Sequence, residues 1–198
     1  IGDYCSTSPD NNRVYDHIVS TMNDPNIVYI RGNHESRNFD RSEFYYKYKV
    51  LNFCNAYAVD SDLNEVNELN KAKYLFTHAE FSPSSPDEFK TVSEINSIPF
   101  ESVKDFIYRY EKVDENNKIR NSFQNIFGHH HCYDLSDETM NKFMKNEIRR
   151  LCIDVDSSYV FHNGRTSNVC FLILKENSFE IYKKSIRHEP KKNIPSRK

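Results

Sequence analysis

Asn26-Ile27-Val28-Tyr29-Ile30-Arg31-Gly32-Asn33-His34-Glu35 is the stretch on which the reading of this chain turns. Ile27 to Ile30 are a short apolar run, largely β-branched, which predicts a buried strand. The run stops at Arg31-Gly32, where glycine lets the backbone turn sharply. Asn33, His34 and Glu35 follow at once. An α/β protein places chemistry at the carboxyl edge of its sheet by delivering such polar groups from strand ends.

The arrangement recurs on either side. The chain has four glycines in 198 residues, and three of them directly precede a potential metal ligand, in Gly2-Asp3, Gly32-Asn33 and Gly128-His129. Each pair closes an apolar stretch: Ile1, the run from Ile27 to Ile30, and Ile126-Phe127. A further strand-like run, Lys73-Tyr74-Leu75-Phe76-Thr77, ends in His78. A single pair of this kind is an ordinary turn with a polar residue after it. Three, in so glycine-poor a chain, are read as a set. Asp3, Asn33, His78, His129 and His131 together offer one carboxylate, one amide oxygen and imidazoles, a mixed set suited to Mn²⁺, Fe or Zn²⁺. Alternation sends His129 and His131 to one side of an extended backbone and His130 to the other.

Composition narrows the classes. Net charge is −2 with 28% charged residues, so no overall field favours nucleic acid or an anionic membrane. No apolar run approaches a transmembrane length and no signal peptide is evident, so a cytoplasmic protein is expected. Cys5, Cys54, Cys132, Cys152 and Cys170 are unevenly scattered and predict reduced thiols. Trp is absent, so Tyr and Phe must fill much of the core.

The length suits one domain, taken as 1–187, followed by a basic tail at 188–198. Helices are expected from Arg13 to Met22, Arg41 to Asn55, Asp87 to Ile95 and Phe100 to Tyr110. Strands are expected over 27–30, 73–77, 123–127, 150–155, 168–174 and 179–183, the last two as a hairpin. Asp60 to Asn70 reads as a solvated loop, and Asp137 to Arg150 as a weak helix or loop. Ile1 to Ile30 reads as strand, helix, strand, and the chain is expected to open inside an element.

Gly2-Asp3-Tyr4, Arg31-Gly32-Asn33-His34-Glu35, Thr77-His78-Ala79 and Gly128-His129-His130-His131 resemble the successive motifs of the calcineurin-like metallophosphoesterases. They are most similar to the phosphoprotein phosphatase branch, especially its bacterial and phage members. Cys152-Ile153-Asp154 through Tyr159, and Asn163-Gly164-Arg165 to Leu172, resemble that branch's closing strands. The resemblance implies an α/β fold: two packed mixed sheets flanked by helices, here with a truncated N-terminal strand. It implies hydrolysis of phosphate monoesters by a hydroxide activated between two divalent metal ions, manganese first, iron or zinc as alternatives. The substrate would be a phosphorylated protein or a small phosphoester, with no nucleic acid and no membrane as partner. Asp3 matches the carboxylate bridging both metals; Asn33, His78 and His129 match the other ligands of the second. His131 matches a histidine reaching toward the first metal, and His34 the one that assists the leaving group. Glu35 is read as holding the loop.

Departures are specific. The family's Asp-x-His, which precedes Gly-Asp and supplies two ligands of the first metal, occurs nowhere in the sequence. The expectation is an N-terminally incomplete domain with one metal site whole. Ser6 and Thr7 stand where the family has the Asp that pairs with the catalytic histidine and the Arg that grips phosphate, and Arg37 is the candidate replacement. Ser157-Ser158 replace the family's Thr-Gly. The alternatives are a dinucleoside polyphosphate or other small phosphoester hydrolase, and a degenerate non-catalytic relative that still binds metal. A nuclease of the same superfamily is supported only by the second histidine of His129-x-His131, and the lack of a basic stripe counts against it.

Overall fold

The strand that ends in His78 lies inside a four-stranded sheet. In the computed structural model, which describes residues 2, 4, 11–36, 43–81, 88–99, 102, 123–129, 136–153, 166–176 and 178–187, this sheet is built from β1 (Ala56–Val59), β2 (Tyr74–Thr77), β3 (Gln124–Phe127) and β4 (Arg150–Cys152), in that spatial order. β1 runs antiparallel to β2, with Ala56 opposite Thr77. β2, β3 and β4 are parallel, with Leu75 beside Asn125 and Phe127 beside Cys152. Parallel neighbours bring their carboxyl ends to one edge, so His78 and Gly128-His129 emerge side by side. Gly128 N–H donates to His78 O at 2.8 Å.

Alternation gives the sheet two apolar faces. Ala56, Ala58 and Leu75 meet Phe81, Phe123, and Val92 and Ile95 of α4 (Val92–Asn96). Val59, Tyr74, Ile126 and Leu151 face the other way, onto Met140 and Phe143 of α5 (Asp137–Met144). A second sheet, the hairpin of β5 (Thr166–Lys175) and β6 (Ser178–Arg187), packs there too, through Leu172, Leu174, Phe179 and Ile181. A third cluster joins Ile18 of α1 (Asn11–Thr21) to Tyr48 of α3 (Glu43–Lys49), Leu51 and Phe53, flanked by Tyr4 and Tyr29. The result is the expected α/β architecture of two sheets with helices. No described helix is long and apolar enough to cross a membrane.

Several local expectations change. The run from Ile27 to Ile30 is not a buried strand among the described residues. It makes one parallel bridge, Ile30 with Cys54, and leaves Ile27 and Val28 37% and 43% exposed. Among the described residues its backbone pairing is Arg31 N–H to Cys54 O and Cys54 N–H to Tyr29 O. The helix expected to reach Asn55 stops at Lys49, and Leu51 and Phe53 enter the core from the turn beyond it. Asp137–Met144 is a helix proper, capped by Ser136. The cysteines are not all reduced: Cys54 is free, whereas Cys152 is disulfide-bonded. The stretch 100–110 (apart from residue 102), the tail 188–198 and the opening strand at Ile1 lie outside the described residues.

β1 went unrecognised in the sequence, and one end of its outer edge is closed by a side chain. Asn96 Oδ1 accepts from the backbone N–H groups of Asn55 and Ala56, and its amide donates to Ala56 O. The carboxamide thus occupies this edge at Ala56, and further along Val66 N–H donates to Ala58 O at 3.0 Å and Val59 bridges Glu65, so the edge is covered.

Candidate metal centre

Asn33, His78 and His129 converge. Asn33 opens α2 (Asn33–Ser36), a single turn beginning directly after Gly32. His78 and His129 follow the ends of β2 and β3. His78 Nε2 lies 3.1 Å from Asn33 Oδ1 and 2.9 Å from His129 Nδ1. The two imidazole rings meet edge-on, centroids 4.8 Å apart. Asn33 and His78 are 1% and 3% exposed. His129 reaches this position with a left-handed backbone, φ 69°. A non-glycine residue held there is strained, and strain of this kind gathers at functional sites.

Gly2 and Tyr4 pack against the same region. Gly2 has φ +72°, and a Cβ on it would overlap His78 Nδ1 and stand 2.7 Å from Gly32 Cα and N. Tyr4 anchors this segment, with its ring 5.6 Å from Tyr29 and 5.5 Å from Phe53. Burial pushes its hydroxyl up to about 12. Asp3 itself lies outside the described residues, as do His131 and Arg37.

The donor spacing tests whether a cation fits. Two ligands about 2.1 Å from one ion stand about 3.0 Å apart at an octahedral right angle and about 3.4 Å apart at the tetrahedral angle. The observed 3.1 and 2.9 Å match octahedral edges. Amide oxygen with imidazole nitrogen is also a donor set for six-coordinate manganese or iron. Asn33 Oδ1 can only accept, so a hydrogen bond between it and His78 Nε2 has the imidazole as its donor. Among the described residues no three His, Cys, Asp or Glu side chains gather into a ligand group; here the third donor is an amide.

The other residues of the Arg-Gly-Asn-His-Glu motif divide the labour. Glu35 is fully buried and its Oε2 accepts from Gly32 N–H at 2.7 Å, which fixes the turn, as expected of it. His34, half-buried, follows Asn33 on the same turn. Arg31 is turned inward: Nη1 donates to Asn55 Oδ1 at 3.2 Å and Nη2 to Phe53 O at 3.1 Å. It is 9% exposed and holds the 53–55 segment, which takes it away from phosphate chemistry.

Sequence reasoning missed the support beneath His78. Asn125 is a buried polar residue in the middle of β3. Gln124-Asn125, two amides inside an otherwise apolar run, was the available signal. Glu80 and Arg150, paired at 2.5 Å, were missed as well.

A family model described as calcineurin-like phosphoesterase matches residues 1–164 of this chain. Neither the comparison with curated proteins nor that with solved structures gave a match.

Proposed function

The chain belongs to the calcineurin-like phosphoesterase family, and from that premise we propose that it is a metal-dependent hydrolase of phosphate monoesters of the Ser/Thr phosphoprotein phosphatase kind. The observation that carries the proposal is the meeting of Asn33 Oδ1, His78 Nε2 and His129 Nδ1 at octahedral-edge spacing. In this reading the three side chains would hold one divalent cation, and Asp3 and His131 would be among the residues that hold a second. Bound there, the cations supply Lewis acidity, drawing charge from phosphoryl oxygens and acidifying water.

The chain's own residues do the rest. Asn33, His78 and His129 bind as neutral donors, so they leave the positive charge of the centre available to a dianionic phosphate. Burial of Asn33 and His78 keeps bulk water from competing for it. Glu35 fixes the turn that presents Asn33 and His34 together. His34 gives a proton to the departing oxygen. Arg37 is the candidate contact to the phosphate.

A second reading, a dinucleoside polyphosphate or other small phosphoester hydrolase, draws on the inward commitment of Arg31 and on Ser6 and Thr7 in place of an Asp and an Arg. Fewer fixed cations at the phosphate leave more of the substrate affinity to the remainder of a small substrate. The test is hydrolysis of p-nitrophenyl phosphate, a phosphoserine peptide and a dinucleoside polyphosphate by chelator-stripped protein with and without Mn²⁺. Mn²⁺-dependent release from the phosphopeptide, reduced roughly 10²–10⁴-fold in His34→Asn, is expected. Release from the dinucleotide alone favours the second reading, and release from none overturns both.

A further inference from the structure

We propose that Asn125 and Thr77 are positioning residues for His78, forming a buried hydrogen-bonded clamp that sets the turn 77–81 and with it the imidazole. The inference rests on the reading that Asn33, His78 and His129 hold a divalent cation, and it adds Asn125, which lies outside every motif quoted above, and a role for the Thr77 hydroxyl.

Asn125 is 2% exposed and Thr77 also 2%. Leu75 and Asn125 are neighbours across parallel strands, so Leu75, Thr77 and Asn125 share one face of the sheet. The Asn125 amide nitrogen donates to Leu75 O at 3.1 Å and to Thr77 Oγ1 at 2.9 Å. Asn125 Oδ1 accepts from Phe81 N–H at 2.8 Å. Thr77 Oγ1 donates onward to Ala79 O at 2.6 Å. The orientation of the carboxamide is fixed by its partners: Leu75 O can only accept and Phe81 N–H can only donate. Both amide hydrogens and the hydroxyl hydrogen are therefore used.

The clamp spans His78 on both sides. Residue 77 is held directly, Ala79 through the threonine hydroxyl, and Phe81 through Oδ1. Glu80, between them, is drawn across to β4 by Arg150. Gly128 N–H ties His78 O to the end of β3. The backbone of His78 is thus flanked by fixed points, and its Nε2 has few other places to go than beside His129 and Asn33. Partners of this kind, which orient a ligand without touching the ion, typically alter metal affinity about 10–100-fold when removed.

Thr77→Val removes the hydroxyl at nearly constant volume, and Thr77→Ser restores it. Asn125→Asp sets a carboxylate oxygen against Leu75 O with little change of shape. Mn²⁺ affinity of the chelator-stripped 198-residue chain is measured first. Thr77→Val and Asn125→Asp are expected to bind Mn²⁺ about tenfold or more weakly than wild type, while Thr77→Ser recovers wild-type affinity. Long-range ¹H–¹⁵N spectra of the imidazoles in the metal-free chain are measured second. Thr77→Val is expected to displace the His78 ring-nitrogen signals, and Thr77→Ser to return them.

Folded Thr77→Val with wild-type Mn²⁺ affinity and an unmoved His78 ring would overturn the clamp. Wild-type protein that takes up no Mn²⁺, with the ring signals still moving in Thr77→Val, would sink the metal reading and leave the clamp standing. Should Asn125→Asp fail to fold, the valine and serine pair decides alone.

Discussion

At position 2 the backbone is left-handed, φ +72°, and the space a Cβ needs is taken by the His78 ring and by Gly32. Gly2→Ala is therefore expected to push this position away from the His78 ring. Mn²⁺ affinity should fall at least about tenfold, measured by titration of the chelator-stripped variant beside wild type. A glycine tolerated as alanine here would show that Gly2 is not packed against the His78 ring as described. Cys54 carries a different prediction. Burial pushes its thiol from an ordinary 9.0 up to about 11. An unfolded chain loses that proton first, so the stability contributed by the neutral thiol is whole below about pH 9 and drains away as pH rises toward 11. Alkylation by iodoacetamide at pH 8.5, about the ordinary thiol value, should be slow at Cys54 in the native protein and fast in urea. Much of the centre was legible one residue at a time. Asn33, His78 and His129 each follow an apolar run in the sequence and meet in the fold; the runs before His78 and His129 are strands, whereas the run before Asn33 is not. Arg31 was not legible: only the fold shows that its guanidinium is spent on Phe53 O and Asn55.

At the scale of elements, the caps and faces make separable claims. Ser136 Oγ accepts from Thr139 N–H at 3.2 Å at the start of α5, which packs on the sheet face away from Phe81 and Asn125. Ser136→Ala should cost about 0.5–2 kcal/mol, read from the urea midpoint, with Mn²⁺ affinity unchanged. A loss of affinity there would mean that α5 supports the centre. β2, β3 and the β5–β6 hairpin were legible because each carries a short, mostly apolar run bounded by polar residues. β1 was not, since Ala56-Tyr57-Ala58-Val59 is short and alanine carries little strand preference. The run from Ile27 to Ile30 misled in the opposite sense. Its composition is that of a strand, yet among the described residues only Ile30 is bridged, because sheet formation depends on a partner as well as on local preference. The aromatic spacing that continues past Lys49 likewise overstated α3, with Leu51 and Phe53 filling the same core from a turn.

At the scale of the whole molecule, the centre is a meeting point of chain segments far apart in sequence. Gly2 abuts the His78 ring, Asn33 leaves a turn locked by Glu35, and His78 and His129 leave neighbouring parallel strands. A family resemblance names such residues, but only the parallel pairing of β2 with β3 explains why two histidines 51 positions apart stand in hydrogen-bonding contact. A cation held there would tie these segments together, and everything said about phosphate chemistry depends on its being held by those side chains. Electron spin-echo modulation of Mn²⁺ bound to the chain measures this directly. The account predicts imidazole nitrogen modulation that diminishes in His78→Ala and again in His129→Ala. Bound Mn²⁺ whose spectrum ignores both substitutions would contradict it.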